Sequence, residues 1–422
     1  MTGLPGLAGR RLRSRKWLGE GPVARVLAAL NGGGEETRIV GGAVRDLVLG
    51  LPVGEVDLAT TAVPDEVMRR ARLSGFKAVP TGLAHGTVTV IVDRRPFEAT
   101  TLREDVETDG RHARVVFGRD FDADARRRDL TINALSLDRE GVVHDPISGL
   151  ADLEARRVRF IGDPDMRIRE DYLRILRFFR FSARFSDGAL DAQGFCAAIR
   201  NRDGLEKLSR ERIRAEFFKL VIAPRAAEVL TAMADSGLLT PIFAGMVYPG
   251  RFARLVAATK ARSAEEDAML SVMGLALVTV EDGDRLRERL RLTNSEHTRA
   301  VQAARALEKL HGVETPPSTP QIEALSIVFG QEATRDALRL AEADAGAPSD
   351  VFAETDRRLR NSPAPALPFA GKDLVARGVP PGPLVGRALK AFQEAWLAAG
   401  LPREPETLDR MIDEAIERLA GP

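Results

Sequence analysis

All the strand signals in this chain fall within its first ~140 residues, and that asymmetry is what most constrains its fold. Short runs rich in β-branched residues and bounded by glycine predict strands at Thr37–Val40, Glu55–Thr60, Gly86–Val92, Pro96–Thr101 and Thr131–Leu137. A helix is expected at Pro22–Leu30 and another at Ala43–Leu49, after the break at Gly41-Gly42. Beyond about residue 150, Arg- and Leu-rich segments of helical period follow one another, stopped at Gly237, Pro241, Pro316-Pro317, Pro363-Ala364-Pro365 and Pro380-Pro381. No fixed-period repeat relates them. The pattern predicts a small α/β head on a long all-α remainder. At 422 residues the chain exceeds one hydrophobic core and should divide into several domains.

Composition narrows the function by exclusion. No apolar run reaches the ~18 residues needed to span a bilayer. The basic start (Arg10, Arg11, Arg13, Arg15, Lys16) has no apolar signal core behind it, so a cytoplasmic protein is expected. The single cysteine, Cys196, cannot form an internal disulfide or a Cys-based zinc site. Net charge is only +1, but nine arginines lie between 156 and 184 (156, 157, 159, 167, 169, 174, 177, 180 and 184). That girdle reads either as a solvated helix face or as a track for phosphates.

Four motifs carry chemistry. In Arg38-Ile-Val-Gly-Gly-Ala-Val-Arg-Asp46, a strand breaks at two glycines and opens a helix, leaving backbone N–H groups that favour an anion. Arg45 runs against the dipole of that helix unless it meets a negative partner. In Gly54-Glu-Val-Asp-Leu-Ala-Thr60, a strand would project Glu55 and Asp57 on one face. Two adjacent carboxylates repel each other until a divalent metal joins them, and hard oxygen donors suit Mg²⁺. Glu98, on a later strand, offers a third carboxylate of the kind that metal-assisted phosphoryl transfer uses. The run Arg126-Arg-Arg-Asp-Leu-Thr-Ile-Asn-Ala134 supplies guanidinium forks for triphosphate oxygens and, in Asp129, an acceptor for a ribose hydroxyl. In Arg169-Glu-Asp-Tyr-Leu-Arg-Ile-Leu-Arg-Phe-Phe-Arg180, Asp171, Arg174 and Arg177 fall on one side of an expected helix. Alone, each motif has a plain structural reading: a tight turn, an acidic strand end, a basic turn, an ion pair.

Taken in order, the four motifs resemble the class II tRNA nucleotidyltransferases, the CCA-adding enzymes, a family that includes bacterial poly(A) polymerases. The match is dense from Ile39 to about Arg184 and reappears in Gly371-Lys372-Asp373-Leu374 and Pro381-Gly382-Pro383-Leu384. The resemblance implies an α+β, polymerase-β-like head with a mixed sheet at 1–145, then a helical neck at 146–206, body at 207–312 and tail at 313–422. It implies triphosphate contacts at Gly41, Gly42 and Arg45, catalytic carboxylates at Glu55, Asp57 and Glu98, and Mg²⁺ on Glu55 and Asp57. The nucleotide-binding arginines would be Arg128, Arg174, Arg177 and Arg180, with Asp129 sensing ribose and Asp171 reading the base. The expected partners are the tRNA 3′ end, CTP and ATP, with neither membrane nor DNA among them. Glu55 stands where the family usually has Asp.

An Asp–Arg pair explains how such a pocket selects bases. Cytosine and adenine both present an amino donor beside a ring acceptor, whereas uracil and guanine present the inverse. A fixed carboxylate beside a fixed guanidinium satisfies C and A and opposes U and G, and sites of this kind discriminate by ~10⁴-fold. In the family the chain resembles, poly(A) polymerases tend to carry a basic C-terminal extension and CC-only enzymes lack part of the loop at 101–121, so the acidic C-terminal helix (Glu404, Glu406, Asp409, Asp413, Glu414, Glu417) and the intact stretch 101–121 argue against both. That polar stretch, with Glu104, Asp105, Glu107 and Asp109, is expected to be a mobile lever for the final A. Retention of Arg45, Asp57 and Glu98 opposes a catalytically silent RNA-binding protein. The sequence has a single His-Asp dipeptide, His144-Asp145, and a His-Asp phosphohydrolase domain is not expected.

Overall fold

A computed structural model describes residues 16–82, 86–104, 116–261, 267–346, 350–362 and 366–420. Of the expected lever at 101–121, residues 105–115 lie outside the described residues, as do His85 and the basic residues before Lys16. The chain divides into two compact units at Leu208/Ser209.

The first unit contains β1 (Thr37–Val40), β2 (Asp57–Thr60), β3 (Lys77–Gly82), β4 (Thr87–Val92), β5 (Arg95–Thr101), β6 (Arg103–Glu104), β7 (Val116–Phe117), β8 (Ser136–Leu137) and β9 (Val143–His144). Seven of these form one mixed sheet in the order β3-β4-β5-β2-β1-β8-β9, and β6 pairs with β7. Only β2 and β5 run parallel among the described pairings. In β4 the alternation sets Val88, Val90 and Val92 inward. Helices Pro22–Leu30 and Pro64–Leu73 pack against the sheet, burying Val26, Leu27, Leu30, Val67 and Ala71. Strand β3 escapes a sequence reading because it lacks alternation and carries Pro80, and it lies at the sheet edge, where proline is tolerated.

Two expected elements are corrected. The run 131–137 is not one strand: Thr131–Asn133 is a 3₁₀ turn, and only Ser136–Leu137 pairs. Its β-branched residues read as strand, but tertiary hydrogen bonds override them. The Thr131 hydroxyl donates to Asp152 (2.6 Å) and the Thr131 N–H to the Arg159 carbonyl (3.1 Å). Asp152 is fully buried and also receives Arg157 (2.7 Å) and Arg159 (2.7 Å). The helix expected to carry both Asp171 and Arg174 is two helices, Pro164–Glu170 and Leu173–Phe185. Asp171 is extended at the break (φ −158°), and its carboxylate accepts the Leu173 N–H at 3.1 Å. An Asp side chain competes for backbone N–H groups in this way, which favours a helix start over a helix interior.

Helix Leu173–Phe185 anchors the helical part of this unit. Phe178 and Phe179 are fully buried, with Phe178 stacked on Phe160 (5.3 Å) and Phe179 edge-on to Phe195 (6.0 Å). Much of the arginine girdle is an internal clamp. Arg157 and Arg159 hold Asp152, while Arg167 holds Glu170 and the Arg126 carbonyl.

The second unit runs in helices from Arg210–Leu220 to Pro405–Ala420, with no strand among its described residues. Capping boxes at Thr279/Asp282 and Thr293/Glu296 open two of them. Buried Arg251 donates to the Met273, Gly274 and Leu277 carbonyls, satisfying the end of helix Ala268–Ala276. Leu374, Phe392, Trp396 and Ile412 form a separate apolar cluster. No described helix is long and apolar enough to cross a membrane.

Candidate active site

The register of three strands places the first group of residues. Val40, the last residue of β1, lies opposite Asp57, the first of β2, and Asp57 lies beside Glu98 on the parallel strand β5. Cross-strand neighbours share a face, so these two carboxylates stand together immediately below the Gly41 turn. Glu55 is exposed and lies before β2 begins, so it is not the strand neighbour expected from the sequence. Desolvation raises the Asp57 pKa above its ordinary 3.8; the charges of Glu98 and Glu55 add to this, and Arg128 opposes it. Oxygen donors so placed fit a hard divalent cation. Among the described residues no three such side chains close into a cage, so phosphate and water would complete the shell.

A raised carboxylate pKa has a sign for stability. The folded state prefers protonated Asp57, so its contribution is present below 3.8 and is lost as pH rises through the raised folded value. In a chelating buffer, Asp57→Asn is therefore expected to melt slightly above the parent at pH 7 and equally with it near pH 3. A lower melting temperature at pH 7 would contradict the repulsion.

Gly41 holds φ +71°, and a Cβ there would stand 3.2 Å from Arg128 Nη1. The positive φ is what favours glycine here. The Gly41 N–H bonds the Leu135 carbonyl (3.0 Å), so the anion-binding role expected of the turn falls to N–H groups from Gly42 onward. Arg128 is steered by a two-point bond to Asp124 (2.9 and 3.1 Å). Arg45 does meet a negative partner, but within the protein. It is buried, pairs with Asp46 (2.8 Å), donates to Asn133 Oδ1 (2.6 Å) and stacks on Phe185 (4.2 Å). Burial lowers its pKa, Arg184 and Arg180 push the same way, and Asp46 opposes them.

Asp129 is buried and receives Arg177 Nε (2.6 Å) and the Leu130 N–H (2.9 Å). Burial works to raise its pKa, but Arg177 and the hydrogen bonds prevail and hold it below 3.8, ionised and acceptor-only. Arg174 is bound to Glu170 and to the Arg167 carbonyl (3.0 Å) rather than to Asp171.

These residues line two adjoining clefts. One, of about 490 Å³, is lined by Gly41, Gly42, Arg45, Glu55, Asp57, Arg128, Asp129, Asp171, Arg174, Arg177 and Arg180. The other, of about 220 Å³, adds Glu98, Asp124 and Arg127, and the two share Asp57 and Arg128. Sequence reasoning missed Asn133 and Phe181, which also line the larger cleft. The signal for Asn133 was an amide set among apolar neighbours in Thr131-Ile132-Asn133-Ala134. A cleft lined by carboxylates and five arginines can bind a polyphosphate and activate a nucleophile beside it.

Residues 37–159 match the Poly A polymerase head domain, and residues 192–248 match the probable RNA and SrmB-binding site of polymerase A. The mitochondrial CCA tRNA nucleotidyltransferase 1 of Danio rerio is 33% identical over 367 residues, covering 86% of this chain and 83% of that protein. The CCA-adding enzyme of Geobacillus kaustophilus is 32% identical over 394 residues, covering 91% and 94%. The crystal structure of the Bacillus stearothermophilus CCA-adding enzyme in complex with CTP superposes with a TM-score of 0.69 at 28% identity, covering 94% of this chain and 99% of that one. With relatives at 33% and 32% identity covered over 83% and 94% of their own length, the chain belongs to the CCA-adding tRNA nucleotidyltransferase family.

Proposed function

We propose that this enzyme adds C, C and A in turn to the 3′ end of tRNA, taking CTP and ATP and releasing pyrophosphate without a nucleic-acid template. The observation that carries this reading is the shared wall of the two clefts, where Asp57 and Arg128 line both the cleft that holds Glu98 and the cleft that holds the arginines. Glu55 and Asp57 would hold Mg²⁺, which when bound supplies charge stabilisation at the phosphates and a more acidic 3′-hydroxyl, with Glu98 a third carboxylate beside Asp57. The chain's own residues do the rest. Gly42, Arg45 and Arg128 take the triphosphate, and Asp129, held by Arg177, takes the ribose. Asp171 and Arg174 present an acceptor and a donor to the base. The 3′-oxygen of the RNA bonds to the α-phosphorus as the bond to the β-phosphate oxygen breaks. The domain bounds 1–145, 146–206, 207–312 and 313–422 and a cytoplasmic setting go with this reading.

The test offers the purified protein a tRNA transcript lacking its terminal CCA, with each nucleotide alone and in pairs, and sequences the products. Extension to CCA and no further is expected. A long A tract, or a stop at CC with both nucleotides present, would replace the reading with one of its rivals. Asp171→Ala is expected to lose selectivity more than rate, because UTP then faces no acceptor clash while CTP loses a charged hydrogen bond of ~1.5–3 kcal/mol. Misincorporated U and G should rise in the sequenced products. If accuracy holds while the rate collapses, the base is chosen by other groups.

A further inference from the structure

Strand order sets the two clefts on either side of Asp57. β2 lies between β1 and β5, so Glu98 flanks Asp57 on one side and the Gly41 turn on the other. The larger cleft, on the Gly41 side, is the one proposed to take the triphosphate. Attacking and leaving oxygens stand roughly in line across the phosphorus, so the 3′-oxygen of the RNA comes from the Glu98 side. The smaller cleft there is lined by Glu98, Thr100, Asp124 and Arg127 among others, and Arg127 does not line the larger one.

Asp124 divides two guanidinium groups between these clefts. Its carboxylate is buried; one oxygen takes Arg128 Nε and Nη2 (3.1 and 2.9 Å), and the other takes Arg127 Nη2. Arg128 thereby turns Nη1 toward Gly41 and the nucleotide. Arg127 keeps Nη1, which makes no hydrogen bond among the described residues, and its side chain is 31% exposed. Half-buried Arg103 stands close enough to act on the charge of Arg127, and its guanidinium has no ion pair or hydrogen bond among the described residues. One carboxylate therefore serves three guanidinium groups, and neither Asp57 nor Glu98 forms an ion pair with any of them. Such an excess of positive charge at a phosphoryl-transfer site suits an anion that arrives with a substrate. With the nucleotide's phosphates on the other flank of Asp57, that anion is the RNA backbone. We infer that the smaller cleft seats the 3′-terminal nucleotide of the tRNA, Arg127 and Arg103 holding the phosphate on its 5′ side so that the 3′-oxygen lies beside Glu98 and Asp57. The assignment rests on the proposed placement of the triphosphate at Gly42, Arg45 and Arg128.

Arg127→Gln keeps a polar tip and removes the charge. Single addition of C to a tRNA lacking its CCA end is measured with CTP varied at saturating tRNA, and with tRNA varied at saturating CTP. The KM for tRNA is expected to rise about fivefold or more and the KM for CTP to stay within about twofold. The slope of log tRNA affinity against log salt should shrink by about 0.7, the loss of one phosphate contact to a single strand. Arg128→Gln, measured alongside, should do the reverse and raise the KM for CTP alone. If Arg127→Gln melts below the assay temperature, Arg103→Gln carries the same expectation, since Arg103 holds no carboxylate that its loss would expose. In a folded variant, a rise in the KM for CTP alone assigns the arginine to the nucleotide and overturns the inference. So does a parental salt slope, or a fall in kcat with both KM values parental. A parental KM for CTP in Arg128→Gln overturns the triphosphate placement and the inference with it.

Discussion

Asp57→Ala is expected to lower single-turnover addition of C to a tRNA lacking its CCA end by about a thousandfold or more, because several kcal/mol of charge stabilisation at the phosphates go with it. Affinity for tRNA should stay within about twofold of the parent, since RNA binding rests on phosphate contacts with basic side chains. The variant should not unfold. Asp57 stands beside Glu98 across β2 and β5, and the desolvation and repulsion that raise its pKa disappear with the carboxylate. Loss of activity with an unchanged or higher melting temperature separates chemistry from stability. A variant that keeps more than about a tenth of the parental rate would remove Asp57 from the reaction, since one tenfold step is only ~1.4 kcal/mol.

Gly149→Ala is the second large effect, and it acts from outside the cleft. A Cβ at Gly149 would stand 2.3 Å from the Thr131 carbonyl oxygen and 3.1 Å from its carbon. Backbone cannot swing aside as a side-chain tip can. Either helix Gly149–Glu154 backs away and strains the buried Asp152–Thr131 bond, or the Thr131–Asn133 turn moves. Both routes disturb Asn133 and, through it, Arg45. Overpacking of this kind costs about 1–3 kcal/mol, so a melting temperature lower by roughly 5 °C is expected. The KM for CTP and ATP should rise together. Gly386→Ala is the contrast: it sits within helix Pro383–Ala398 with open space around its Cα, and alanine there should be neutral or stabilising. Equal melting of Gly149→Ala and the parent would show that the turn is not held by this contact.

The sequence by itself determined the division into a mixed α/β head and a helical remainder, because hydrophobic period is a local property. It also determined the Gly41-Gly42 break, since glycine takes a φ of +71° without strain. Asp57 was legible because its neighbours form an unmistakable strand. The tertiary structure decided what depends on partners distant in sequence. Arg45 finds Asn133 88 residues away, and Asp129 finds Arg177 48 residues away. No local pattern reveals either pairing. Thr131–Asn133 has strand composition but is a turn, because Asp152 and the Arg159 carbonyl supply hydrogen bonds that a strand would have to forgo. Asp171 stands between two helices rather than on one, because its carboxylate takes the Leu173 N–H. Periodicity reports which face of an element is apolar. Where a buried polar group finds its partner is decided only when the chain has closed.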